Sequence, residues 1–272
     1  MPAPGLNSVS LAPAPTRYLQ TVRGGPALSE RVAVVTGASS GIGRATALAL
    51  AGNGMRVALG ARRTERLEDL ESEIAAAGGT AASYTVDVTK QDQCKAFVDD
   101  TAERWGRVDI LVNNAGLMPL SFVKNLHVDE WDRMIDVNIK GVLYCTAAAL
   151  PHILEAGSGH IVNVSSVAGR IVFPAGSVYC ATKHAVTAFS EGLRQELSSR
   201  KGIRVTCIEP GVVATELTDT ITDDSLKGFV EGSRKMEALR SEDIAEAVVY
   251  AVSSPKHVSV NEILIRPTVQ ER

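Results

Sequence analysis

The sequence predicts an α/β protein built on one doubly wound, largely parallel sheet of about seven strands with helices on both faces. Three observations carry that reading. Short Val/Ile/Leu-rich runs alternate with helical patterns from residue 30 onward, as strands buried on both faces require. The first run leads through a glycine-rich turn directly into the first helical pattern. No repeat at a fixed period interrupts the alternation.

The elements follow in order. Arg31–Val35 is a β-branched run, Gly41–Ala51 a helical pattern and Arg56–Gly60 a second apolar run. Thr64 is a plausible N-cap for a helix through Ala77 that stops at Gly78-Gly79. A strand at Ala82–Val86, a helix Thr89–Trp105 closed by Gly106 and a strand Val108–Val112 come next. The helix Val128–Leu150, strand His160–Val164, helix Val178–Arg200 and strand Arg204–Ile208 complete the middle. Ser241 caps a last helix ending before Pro255, and Glu262–Ile265 is the final strand. Right-handed crossovers make this a Rossmann-type sheet of order 3-2-1-4-5-6-7.

Composition sets the outer bounds. The chain has 272 residues, 45% hydrophobic and 22% charged, with a net charge of -3. Neither the charge nor the 4% aromatic content suggests a nucleic-acid partner. Cys94, Cys145, Cys180 and Cys207 are scattered without a C-x-x-C pair, which reads as reduced thiols in a cytoplasmic protein. No uninterrupted apolar run reaches the roughly 18–20 residues of a membrane span. Residues 1–29 hold five of the 11 prolines and no acid; they read as a flexible leader or an arm for a partner subunit. Residues 30–272 form one domain, with a nucleotide-binding half of about 30–125 and a catalytic half of about 126–272.

The turn Thr36-Gly37-Ala38-Ser39-Ser40-Gly41-Ile42-Gly43 brings backbone N–H groups and a helix N-terminus together, which suits a pyrophosphate. Its G-x-x-x-G-x-G spacing departs from the common dinucleotide fingerprint, and a structural turn without ligand is the alternative. After the second strand stands Leu59-Gly60-Ala61-Arg62-Arg63, without the acid that holds a ribose 2′-OH. Two guanidiniums there suit a 2′-phosphate and hence NADP, with Arg62 the first contact and Arg63 the second. The competing reading makes both solvated residues at a helix start.

Tyr179 and Lys183 are four apart in a predicted helix and share a face. A phenol titrates near ~10, and an ammonium one turn away favours its ionised form. Upstream, a predicted strand ends in Ser165-Ser166, whose hydroxyl can donate to a carbonyl oxygen.

Over roughly residues 30–268, the chain resembles the short-chain dehydrogenase/reductase family. T-G-x-x-x-G-x-G stands at Thr36 to Gly43, N-N-A-G at Asn113-Asn114-Ala115-Gly116, Y-x-x-x-K at Tyr179 to Lys183, and P-G-x-x-x-T at Pro210-Gly211-Val212-Val213-Ala214-Thr215. Ser166 and Asn138 match the family's Ser and Asn positions. The resemblance implies a hydride-transferring oxidoreductase that interconverts a carbonyl compound and its alcohol. It implies Tyr179 as acid/base, Ser166 polarising the carbonyl, Lys183 on the nicotinamide ribose and lowering the Tyr179 pKa, and Asn138 holding a water. The NADP(H) site would comprise Gly37, Ser39, Ser40, Gly41, Ile42, Gly43, Arg62, Arg63, Asp87, Val88, Asn114, Ala115, Gly116, Tyr179, Lys183, Pro210, Gly211, Val213 and Thr215. Asp87 would accept from adenine, Asn114 lie along the cofactor, and Thr215 sit near the carboxamide. No metal is implied. A homo-oligomer, tetrameric through Val128–Leu150 and Val178–Arg200, is implied.

Cys180, His160 and His184 read as packing or surface residues, and Trp105 and Trp131 as core or interface aromatics. Arg170 could hold a substrate carboxylate or be a surface arginine. Substrate choice should fall to Leu117–Phe122, Gly169–Gly176 and the segment from Val212 to about Met236, a mostly apolar lining. Loop sequences such as Gly60 to Leu67 and Glu262 to Thr268 resemble the clavulanic acid dehydrogenase and 3-hydroxy acid (serine) dehydrogenase subgroup. The alternative from another class is a catalytically silent NADP-binding sensor.

Overall fold

The structure, a computed structural model, describes residues 28–271. The expected leader therefore lies outside the described residues except for its end. There Leu28 is buried in the core and accepts from Arg31 N–H through its carbonyl, so the packed domain begins before the expected boundary.

Seven parallel strands form one sheet in the order β3-β2-β1-β4-β5-β6-β7. The strands are β1 Val32–Thr36, β2 Arg56–Ala61, β3 Thr80–Thr85, β4 Ile110–Asn113, β5 Gly159–Val164, β6 Ile203–Pro210 and β7 Glu262–Ile265. Register is continuous from Val32 opposite Arg56 through Cys207 opposite Glu262. β1, β4, β5 and β6 are buried along their whole length, which is why their sequences run apolar without alternation. Edge strand β7 alternates exposed and half-buried residues instead.

Helices α1 Gly41–Gly52, α2 Thr64–Ala76 and α8 Ser241–Ser253 cover one face, burying Leu50, Leu67, Ile74 and Val248. Helices α3 Gln91–Trp105, α5 Gly141–Glu155 and α6 Ser177–Lys201 cover the other through Phe97, Cys145 and Leu193. Helix α3 ends at Gly106 and α6 at Gly202, both left-handed, as a C-terminal glycine permits.

Three sequence expectations shift. The long helix from Val128 is α4 Val128–Ile135, then a wider π-turn Asp136–Lys140, then α5. Spacing at 3.6 residues cannot signal that widening. Thr64 is not an N-cap: Arg63 holds that position, and the Thr64 hydroxyl pairs with that of Thr85 at 2.7 Å. Ser241 likewise yields to Arg240, whose N–H donates to the Asp243 carboxylate at 2.7 Å. The joined helix Val128–Glu155 has an 18-residue window of mean hydropathy 1.2, enough by composition to cross a bilayer. Its packing against α3, β4 and β5 accounts for that apolarity.

Between β6 and β7 the chain makes a long excursion. Residues 211–226, with short turns at Glu216–Thr220 and Asp224–Leu226, form a strap over the carboxyl ends of the strands. It runs into α7 Lys227–Lys235.

Candidate active site

The strand order reverses between β1 and β4, and a crevice opens at their carboxyl ends. The glycine turn fills one side of it. Gly37 has φ +66°, and a Cβ on Gly43 would stand 2.3 Å from the Gly37 carbonyl oxygen, so both positions demand glycine. The Asn113–Gly116 loop locks the turn. Thr36 Oγ1 accepts from the N–H groups of Asn114 (3.0 Å) and Ala115 (3.1 Å), and Asn114 Nδ2 donates to the Thr36 and Gly37 carbonyls at 3.0 and 3.3 Å. The Asn114 amide thus braces the turn, a role its motif alone does not disclose.

The first turn of α1 has no side-chain cap and no acid, which leaves its leading N–H groups directed at the crevice. Thr215 lies across this end: a Cβ on Gly41 would come 3.1 Å from its methyl group. A cleft of about 700 Å³ between α1 and the strap is lined by Ser40, Gly41, Arg44, Val213, Thr215 and Glu216, among others. Pro210 and Gly211 open the strap, where Gly211 N–H donates to the Ile265 carbonyl at 2.7 Å. Asp87 follows β3, with Oδ1 accepting from Thr89 N–H at 3.0 Å, and Val88 beside it is buried.

The two arginines stand in different surroundings. Arg62 is exposed and has no hydrogen-bond partner among the described residues. Arg63 reaches the turn: Nε donates to Ser39 Oγ at 3.1 Å and a terminal nitrogen to Ser40 Oγ at 2.6 Å. Arg63, at the N-cap of α2, is therefore the one whose guanidinium meets the glycine turn. Its other terminal nitrogen donates to Glu216 at 2.7 Å, as does Arg66. Neither Arg66 nor Glu216 was a sequence candidate, and they stand 150 residues apart.

On the other side, α6 delivers Tyr179 and Lys183 and β5 delivers Ser166. All three are at most 9% exposed, and Asn138 is 1% exposed. Lys183 Nζ lies 5.8 Å from the Tyr179 ring centroid and donates to the Val164 carbonyl at 3.0 Å. Burial pushes the Tyr179 phenol up to about 12, opposed by its hydrogen bond with Ser166. Desolvation is the largest influence on this phenol, and the Lys183 ammonium is directed to the Val164 carbonyl. Burial also brings Lys183 down to about 8. Ser166 Oγ accepts from Ala168 N–H at 3.1 Å, which fixes its rotamer.

Asn138 sits on the π-turn. Its Oδ1 accepts from Leu117 N–H at 2.9 Å, while Nδ2 donates to the Leu117 carbonyl at 3.0 Å and to Thr182 Oγ1 at 3.1 Å. The side chain thereby ties the loop after β4 to α6, with Gly116 between it and the Lys183 ammonium.

An apolar cluster surrounds Tyr179: Leu117, Leu120, Met134, Phe173 and Leu226. Leu117, Leu120, Phe173 and Leu226 fall within the three stretches expected to govern substrate choice, while Met134 lies outside them. Trp131 borders this cluster and Trp105 the core beneath α3. Arg170 is taken up by carboxylates, donating to Glu209 Oε2 at 2.6 Å and to Glu262; they hold it firmly protonated. His160 lies at the opposite end of β5, buried against Thr206 Oγ1 at 2.7 Å and held neutral by burial. His184 bonds the Cys180 carbonyl one turn back, and Cys180 is fully buried. Among the described residues, no group of three His, Cys, Asp or Glu side chains could hold a metal ion.

Comparison with known proteins agrees with this fold. Residues 31–226 match the family described as short chain dehydrogenase. An uncharacterized oxidoreductase of Staphylococcus saprophyticus is 47% identical over 245 residues, covering 89% of this chain and 98% of the relative. The closed form of serine dehydrogenase complexed with NADP+ superposes with a TM-score of 0.82 at 35% identity, covering 89% of this chain and 96% of that one. An alcohol dehydrogenase of Thermococcus sibiricus complexed with 5-hydroxy-NADP gives 0.79 at 32% identity, covering 89% and 98%.

Proposed function

The chain belongs to the short chain dehydrogenase family of oxidoreductases, and on that premise we propose that it interconverts a small or medium aldehyde or ketone and its alcohol with NADP(H). The observation that carries this reading is the meeting of Tyr179, Ser166 and Lys183 at one buried point beside the glycine turn. The residues present fit the cofactor. Uncapped N–H groups of α1 suit its pyrophosphate, and Arg63 with Arg66 suits its 2′-phosphate. Relatives with NADP in their structures support the same choice.

When bound, NADP(H) gives or takes the hydride. The chain's own residues do the rest. Tyr179, held neutral by burial, keeps a proton at its phenol oxygen for the reduced carbonyl oxygen. Ser166, fixed by the Ala168 N–H, directs its hydroxyl to that same oxygen. Lys183 presents an ammonium to the cofactor ribose from a site in which water is excluded. Asn138 holds the Leu117 peptide against α6 and so keeps the carbonyl pocket in register with the phenol.

The lining of Leu117, Leu120, Met134, Phe173 and Leu226, with Arg170 engaged elsewhere, supports a neutral carbonyl substrate. Exposed Ile135, Leu143 and Leu154 on α4 and α5 support a homo-oligomer, tetrameric by family habit; light scattering of the purified chain tests it. Four buried thiols support residence in the cytoplasm, which cell fractionation checks. The activity test is NADPH and NADH oxidation against aldehydes, diketones, semialdehydes and steroids, with hydroxy acids in the reverse direction. Turnover with NADPH is expected. Tight NADPH binding with no turnover on any of these compounds would favour the silent sensor.

A further inference from the structure

The strap crosses from the catalytic pocket to the cofactor side and there presents a carboxylate to the arginines that follow β2. Glu216 accepts from Arg63 and Arg66 at 2.7 Å each, one guanidinium on each oxygen. Arg63 and Arg66 stand one helical turn apart and share a face of α2. All three side chains are close to half exposed, so an incoming anion can reach them. The two arginines hold the carboxyl of Glu216 down to about 2, so it is ionised throughout the neutral range.

A guanidinium fork serves a carboxylate and a phosphate with the same N–H groups. A phosphate monoester brings about −1.5 to −2 charge where the carboxylate brings one. Arg63 is also bonded to Ser39 and Ser40 of the glycine turn, which places the shared guanidinium where the adenosine half of a dinucleotide must lie. The same donors cannot satisfy both anions at once.

We propose that Glu216 is a specificity-determining competitor for the cofactor's 2′-phosphate, and that Arg63 and Arg66 form that phosphate's site. This inference rests on the NADP reading above. The 2′-phosphate displaces Glu216 from the arginines and releases the first turn of the strap, Glu216–Thr220. An unphosphorylated dinucleotide leaves the carboxylate in place. Coupling is reciprocal: whatever affinity Glu216 withholds from the phosphate reappears as loosening of the strap.

Calorimetric titration of the full chain tests this with NADP+, NAD+, 2′,5′-ADP and 5′-AMP. Glu216→Gln should bind NADP+ and 2′,5′-ADP about three- to tenfold more tightly, the scale of two half-exposed ion pairs. Its affinity for NAD+ and 5′-AMP should not move. Arg66→Ala should weaken 2′,5′-ADP and leave 5′-AMP alone. Hydrogen exchange over 216–220 should run faster with 2′,5′-ADP than with 5′-AMP. Unchanged or weaker NADP+ binding by Glu216→Gln overturns the competitor role, because the carboxylate would then be organising the arginines. A wild-type chain that binds 5′-AMP as tightly as 2′,5′-ADP overturns the NADP reading itself and this inference with it. That result is distinct from a wild-type preference that Glu216→Gln leaves untouched.

Discussion

The glycine turn and the strap face the same cleft, but they are held by different bonds. The turn is fixed by two side-chain groups, Thr36 Oγ1 and Asn114 Nδ2, each bonded to backbone groups of the turn or of the Asn113–Gly116 loop. Space there admits no Cβ on Gly43. The strap starts on backbone bonds of Gly211 to Ile265 and of Val212 and Ala214 to Leu239, and from Glu216 onward it hangs on side-chain oxygens. Glu216 meets two arginines, Thr220 accepts from Met118 N–H at 3.1 Å, and Asp223 accepts from Phe122 N–H and Asn125 Nδ2 at 3.3 and 2.7 Å. A floor with a single backbone solution gives a constant frame for cofactor and proton. A roof held by exchangeable polar bonds can vary in sequence and position without disturbing that frame.

The comparison breaks if chemistry depends on the roof as much as on the floor. Tyr179→Phe removes the proton-bearing oxygen and little else, because the ring stays in its apolar cluster. Turnover should fall by about 10³-fold, while calorimetry should show NADPH binding within twofold of wild type. Appreciable residual turnover would show that another group carries the proton.

Lys183→Met sharpens the same point by separating function from stability. The folded pKa lies near 8 against an ordinary 10.5, so between those values the unfolded chain binds the extra proton. The penalty is therefore present in full at pH 7 and shrinks as pH rises from about 8 to 10.5. Lys183→Met should lose activity yet gain about 3 kcal/mol of stability at pH 7 by denaturant unfolding, with the gain fading above pH 10. A destabilised variant would mean that the bond to Val164 outweighs burial. Gly43→Ala should cost about 1–3 kcal/mol and weaken NADP+ and NAD+ alike, since the turn serves their common pyrophosphate. A change confined to NADP+ would contradict that assignment.

What the sequence disclosed follows the same division. The strand–helix alternation, the glycine turn and the Tyr179–Lys183 spacing were legible because each is set by neighbours in the chain, and the sheet order followed from the crossover rule. The π-turn under Asn138 was not, since a one-residue widening leaves the apolar pattern intact. Adjacency does not show which of Arg62 and Arg63 reaches Ser39; the start of α2 at Thr64, with Arg63 as its N-cap, decides that. Glu216 and Arg66 are far apart in the chain and meet only once the strap is folded over α2. Arg170 was ambiguous because Glu209 and Glu262, its partners, lie on the last two strands. The phenol's upward shift came from burial, a quantity that spacing to Lys183 does not contain.

The smallest expected effect is at the other end of the strap, where the roof should prove adjustable. Asp223 is held down to about 2, first by the Ser225 hydroxyl and then by Asn125 and two backbone N–H groups. It is therefore ionised throughout the neutral range, and acid alone does not release the strap above roughly that value. Asp223→Asn keeps one acceptor oxygen, which can serve the Ser225 turn or the bonds to Phe122 and Asn125, but not both. Losing a partly exposed bond of this kind costs about 1 kcal/mol, or close to a factor of five. The substrate KM should rise by about that factor because Leu226 no longer closes the apolar pocket firmly. Both kcat at saturating substrate and the Kd for NADP+ should stay within twofold, since neither the phenol nor the glycine turn has moved. A loss of kcat comparable to that of Tyr179→Phe would place Asp223 in the frame itself, and the distinction between a fixed floor and an adjustable roof would fail.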